Sequence, residues 1–191
     1  MASTYSGNLN IELIGTGDQA GTWGATTNVN LGTALEQSIV GSSNVSFTSG
    51  ANTAIAITQS NAYQAARSLR LNLTGTVAAT QYLFVPAINK QYVVNNGLGS
   101  PVIVANGGNT GATGATVKIP ANTTAVVYND GTNVAPVMTS LPISTTYTMK
   151  LPTADGTSGQ TLITDGAGNL SFTAPGITTG KSIAMALIFG F

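Results

Sequence analysis

Residues 151–172, LPTADGTSGQTLITDGAGNLSF, leave room only for very short strands. Residues 160–164 and 170–172 flank Asp165-Gly166-Ala167-Gly168-Asn169. That loop can close a hairpin, because glycine reaches positive φ at little steric cost. The two strands carry Leu162, Leu170 and Phe172 as their main apolar area. An isolated two-stranded hairpin is marginal in water. The stretch therefore calls for partners, and identical chains are the simplest source of them.

Composition points the same way. Charged residues make up 6% of the 191, against about 25% in ordinary soluble domains. Six basic and six acidic side chains give a formal net charge of zero, which favours association. Hydrophobic residues are 42% of the chain, enough to build a core, which argues against disorder. The absence of cysteine excludes disulfides and thiol chemistry. No basic cluster suggests nucleic acid, since Arg67 and Arg70 are the only close basic pair. The opening MASTYSGNLN has neither the basic nor the apolar region of a secretory signal. The longest apolar run, 183–189, is far short of the ~20 residues that span a bilayer. Assembly in a host cytoplasm followed by release is the expectation.

Three segments are expected. Residues 1–41 form a distinct N-terminal block, with a strand over 10–14, glycine turns at Gly15, Gly17, Gly21 and Gly24, and a helix over 28–40. Leu31, Leu35 and Ile39 fall at i, i+4 and i+8 on one stripe, with Glu36 and Gln37 facing away from it. Thr27 or Asn28 can cap the start, and Gly41 suits the C′ position. Residues 42–139 read as a β-sandwich domain of about seven short strands separated by Gly, Asn and Pro signals. Among them, 69–74 places three leucines on one face. Residues 140–191 hold the hairpin and an apolar C-terminal segment in which Ile183, Met185, Leu187 and Phe189 alternate before a final Phe191. Such a tail needs burial. The fold class is thus mainly β: a small antiparallel sandwich or barrel with an N-terminal strand–helix block and a C-terminal hairpin segment that self-association would complete.

The hairpin stretch resembles a segment of phage tail-fibre and fibre-like virion proteins. The likeness runs through Leu151, Pro152, Asp155, Gly156, Gly159, Gln160, Leu162, Asp165, Gly166, Gly168, Leu170 and Phe172. The phrase IELIGTGDQAGTWG over 11–24, with Thr26-Thr27-Asn28 and Leu31-Gly32, is similar to the opening of marine phage structural proteins. Tyr128 to Asn133 resembles the close of fibre β-modules. The resemblance implies a homotrimer on a virion, contacting other virion proteins, with the N-terminal block as its attachment.

Motifs for chemistry are weak. Gly15-x-Gly17-x-x-x-Gly21 lacks the βαβ setting of a dinucleotide loop and reads as a glycine turn. Asp130-Gly131, Asp155-Gly156 and Asp165-Gly166 each offer one carboxylate, too few for calcium, and read as turns. Without histidine no Ser-His or His-metal site exists, and no two carboxylates are close in sequence. No cofactor, metal or catalytic residue is expected. Trp23 could stack on a sugar, but a local anchor for the N-terminal block is preferred. The expected function is a non-enzymatic short tail fibre or fibre-like appendage. The alternatives are a capsid fibre or decoration protein, and a carbohydrate-binding module that recognises host surface glycan.

Overall fold

The computed structural model describes residues 2–107, 111–142 and 148–175. The chain divides into two units, Met1–Val137 and Met138–Phe191.

The first unit opens with a small antiparallel pair, β1 (Thr4–Tyr5) and β2 (Glu12–Leu13). A continuous helix follows, made of α1 (Trp23–Val29), a π-helical segment (Asn30–Leu35) and α2 (Glu36–Val40). Then come β3 (Ser42–Phe47), β4 (Thr53–Ala54), a 3₁₀ turn (Ala65–Arg67), β5 (Arg70–Gly75), β6 (Gln81–Val85), β7 (Asn89–Asn96), β8 (Val102–Asn106), β9 (Thr113–Ile119), β10 (Thr123–Asp130) and β11 (Val134–Pro136).

Two sheets pack over one core. The order β11-β10-β7-β5-β3 makes the larger, and β4-β6-β8-β9 the smaller. Period-2 alternation explains which residues meet inside. Val45 and Phe47 of β3, Leu71 and Leu73 of β5, Tyr92 and Val94 of β7 and Val127 of β10 face Leu83, Val85, Val102 and Val104 of the other sheet.

The architecture is mainly β, as the sequence suggests, but the sheets are mixed and no barrel closes. β3, β5 and β7 pair in parallel, and so do β4, β6 and β8. Parallel neighbours need long crossovers, and here each crossover passes through the opposite sheet. The chain thus alternates sheets strand by strand until β9 and β10 return antiparallel to β8 and β7. Successive parallel strands put equivalent residues side by side. Asn44, Asn72 and Asn95 align on the outer face, followed by Thr124. Their side chains form a ladder, with long Nδ2-to-Oδ1 bonds from Asn72 to Asn44 (3.4 Å) and from Asn95 to Asn72 (3.5 Å), and a bond from the Thr124 hydroxyl to Asn95 (2.9 Å).

The helix differs from expectation in three ways. It begins at Trp23, not at 28, and Thr22 occupies the cap position without a side-chain bond to the helix, its hydroxyl donating instead to the Gln19 carbonyl (3.2 Å). Its inward residues are Ala34 and Gln37, whereas Leu31, Leu35 and Ile39 face outward. The reason is polar: the turn beneath carries backbone groups that need partners. Gln37 donates to the Gln64 carbonyl (2.7 Å) and to the Ser68 hydroxyl (3.0 Å), and accepts from the Gln64 amide (3.3 Å). Unpaired, such buried groups would cost more than one leucine's burial gains. Gly41 is extended (φ −66°, ψ 145°) rather than left-handed; a Cβ there would lie 2.3 Å from the Gln37 carbonyl oxygen.

Arg67 ties the N-terminal stretch to the sandwich. Its side chain is wholly buried and donates to four backbone carbonyls: Leu9 (2.7 Å), Asn10 (2.7 Å), Ser60 (2.6 Å) and Ala62 (2.9 Å). Burial lowers its pKa, while Tyr5 acts in the opposite sense.

The second unit contains β12 (Ser140–Pro142) paired with β13 (Thr148–Lys150), and β14 (Thr161–Thr164) paired with β15 (Leu170–Thr173), both antiparallel. Lys150 bridges to Asn169, and its amide donates to the Gly168 carbonyl (2.7 Å). Gly156 passes over the Phe172 ring so closely that a Cβ would meet it at 2.7 Å.

Candidate functional site

The expected interface residues divide into three groups. In the helix, Trp23, Leu31, Leu35 and Ile39 are between 39% and 62% exposed. Trp23 is therefore not the buried anchor expected of it. It is the first residue of α1 and is exposed, two residues after a turn in which Gln19 (φ 54°) and Gly21 (φ 83°) take left-handed backbone. In the second unit, Leu162 and Phe172 are cross-strand partners, with Leu170 on the same face. Leu162 is exposed, and Leu170 and Phe172 are half-buried. The third group, Ile183, Met185, Leu187, Phe189 and Phe191, lies outside the described residues, as does Tyr147.

Two of the three Asp-Gly loops, at Asp130 and Asp165, are turns held by their own carboxylates. Asp130 accepts from the amides of Thr132 (2.8 Å) and Asn133 (2.6 Å), and Asp165 from those of Ala167 (2.8 Å) and Asn169 (3.0 Å). The Asn133 amide contributes most to lowering the Asp130 pKa; for Asp165 the side chain of Asn169 does so. These oxygens are engaged within the loop. Among the described residues no group of three or more His, Cys, Asp or Glu could hold a metal, and no helix is long and apolar enough to cross a membrane.

A cleft of about 460 Å³ lies between the helix and Tyr63, lined by Gly32, Thr33, Glu36, Gln37, Val40, Gly41, Ser42 and Tyr63. It contains a single carboxylate, Glu36. Gln37 is engaged in the turn beneath the helix, and the Tyr63 hydroxyl bonds the Ser42 carbonyl (3.2 Å) and the Ser43 hydroxyl.

Sequence reasoning missed an aromatic pair. Tyr82 and Phe84 on β6 stack with ring centroids 5.6 Å apart and an interplanar angle of 17°. Both are half-buried on the outer face of the smaller sheet, and Tyr82 is in register with Ile103, itself opposite Lys118. Their i, i+2 spacing in an alternating strand was the available signal.

No family model matches the chain, and no curated protein or solved structure is similar enough to be matched.

Proposed function

We propose that the protein is a structural component of a phage particle, a short tail fibre or fibre-like appendage that works as a homotrimer. One observation carries the self-association: among the described side chains of the second unit, none is buried. Its hairpin leaves Leu162 and Ile163 exposed, and a two-stranded hairpin with no core is marginal alone. Copies of the same unit, related by a rotation axis, would cover these residues without opposing charges, since Asp155 and Asp165 are the acids of that segment and Lys150 and Lys181 its bases. The likeness to fibre-like sequences supports the place on a virion. A capsid fibre or decoration protein has the same physical requirements.

Sedimentation of the purified full chain, with labelled antibody on intact particles, tests the reading. A trimer decorating the tail is the expected result. A stable monomer at micromolar concentration overturns it, and antibody confined to the capsid selects the decoration protein.

The Tyr82–Phe84 stack favours a second reading, a module that binds neutral glycan on a host surface, because the half-buried pair leaves some aromatic surface on the outside of the sheet for a sugar ring to pack on. Glycan-array binding lost in Tyr82→Ala and Phe84→Ala would support it.

A further inference from the structure

The uncovered side of the N-terminal helix carries a row of four-residue period: Trp23, Thr27, Leu31, Leu35, Ile39. In a regular α-helix such a row winds round the axis by about 40° per step, or roughly 160° from first to last. The π-helical segment Asn30–Leu35 changes this. With roughly 4.4 residues per turn, its i, i+4 row drifts the opposite way. Only the step from Leu31 to Leu35 lies wholly within that segment, so the winding is cut to about 70° and the row keeps to one side of the helix over about 24 Å. Opposite it lie Ala34 and Gln37, the buried side. The π segment thus does two things at once: it seats Gln37 over the polar turn and straightens the apolar row outside.

We propose that this row is a contact between copies of the chain, in which helices related by a rotation axis pack row against row. The inference rests on the self-associating reading above and assigns it a second, separate surface. Two features favour the same chain over an unrelated partner. Glu36 is the only ionisable residue of the helix and lies off the row, so like rows meet without like charges, and no charge pattern is present to select another protein. The area also fits. The exposed parts of Trp23, Leu31, Leu35 and Ile39 amount to roughly 400 Å² per chain, taking large side chains at about 150–250 Å² each. A standard interface uses about 800 Å² per partner. The row can therefore form the apolar centre of one contact, the hairpin unit supplying a contact of its own, and it is too small to hold copies together alone.

Rotation about one axis brings identical residues together, and the chain supplies two clean reporters. Trp23 is its single tryptophan, and it has no cysteine. In the full-length protein, the Trp23 emission should be blue-shifted and shielded from acrylamide. Leu35→Cys should form interchain disulfides, linking two of the three chains in each trimer, whereas Val29→Cys, exposed but off the row, should not. Leu35→Glu should red-shift the emission and lower the association constant at least tenfold, with the far-UV circular dichroism of the parent retained, because Leu35 is not needed by the single chain's core.

An assembled protein whose Trp23 remains fully quenchable, and whose Leu35→Cys links no better than Val29→Cys, overturns this inference and leaves the hairpin-based reading standing. A monomer with exposed Trp23 overturns both.

Discussion

Replacing Arg67 should loosen the N-terminal stretch before anything else in the molecule. The guanidinium is fully buried and its four acceptors are all neutral carbonyls, two of them at Leu9 and Asn10 and two at Ser60 and Ala62. Each bond to a charged donor contributes about 1.5–3 kcal/mol. Against the sum stands the desolvation of a cation with no carboxylate beside it, several kcal/mol in real proteins. The net cost of Arg67→Met is therefore about 3–5 kcal/mol. For a unit of this size, at roughly 4 °C per kcal/mol, the midpoint of thermal unfolding should fall by about 12–20 °C. Arg67→Lys keeps the charge but loses the planar fork that reaches two chain segments at once, and should cost about 2–4 kcal/mol. Circular dichroism melts give both values. Limited proteolysis adds a local readout, with early cleavage near Leu9 and Asn10 in the variants. A loss below 1 kcal/mol in both would refute the assignment of Arg67 as the tie between these segments.

Lys90 gives a pH signature. It is buried on the inner side of β7, 5.1 Å over the Tyr92 ring, and burial pushes its pKa from 10.5 down to about 8. Below pH 8 both states hold the proton and the folded state bears the full cost; between 8 and 10.5 only the unfolded state holds it, so stability rises with pH. Burial raises the Tyr92 pKa from 10.0, so above pH 10 the unfolded state ionises first and stability falls again. Allowing for partial solvation, urea titrations should show a gain of about 1–2 kcal/mol from pH 7.5 to 9.5, and Lys90→Met should abolish it. Gly41→Ala forces a Cβ to within 2.3 Å of the Gln37 carbonyl oxygen and should cost about 1–3 kcal/mol by chemical denaturation. Asn96 is fully buried and donates to the carbonyls of Ser100, Ile119 and Pro120 while accepting from the Leu98 amide; Asn96→Leu should cost about 2–4 kcal/mol in the same assay.

Much of the β-structure was legible because alternation is a local signal. Residues 81–85 were read as a strand and form β6. Of the three leucines expected on one face, Leu71 and Leu73 share the inner face of β5, and Leu69 lies in the bend before it. Strand partners were not legible. The pattern of 42–47 or 70–75 is the same whether the next strand folds back or crosses to the opposite sheet, so parallel pairing was invisible. The helix was found, yet its orientation was read from hydrophobicity alone. The demand of the Gln64 and Ser68 groups for hydrogen bonds turned Gln37 inward, and that demand arises from residues far along the chain. The π segment has no sequence signature of its own. Gly32 and Asn30, whose side chain donates to the Glu12 carbonyl (2.8 Å), sit within it, but neither requires it. The expectation for Trp23 rests on how its residue type usually behaves, whereas at the first position of a helix whose inward side is Ala34 and Gln37 it stays exposed in the single chain.

The asparagine rungs mark the register of neighbouring strands and leave their connections free. A shorter connection separates Asn72 from Asn95 than separates Asn44 from Asn72, yet the three amides still align. Residues inserted or deleted between rungs need only be looped out, whereas one added within a strand would turn its inward side chains to water. Variation among descendants of such a chain is thus channelled into the bends, where new surface can be tried without disturbing the stack.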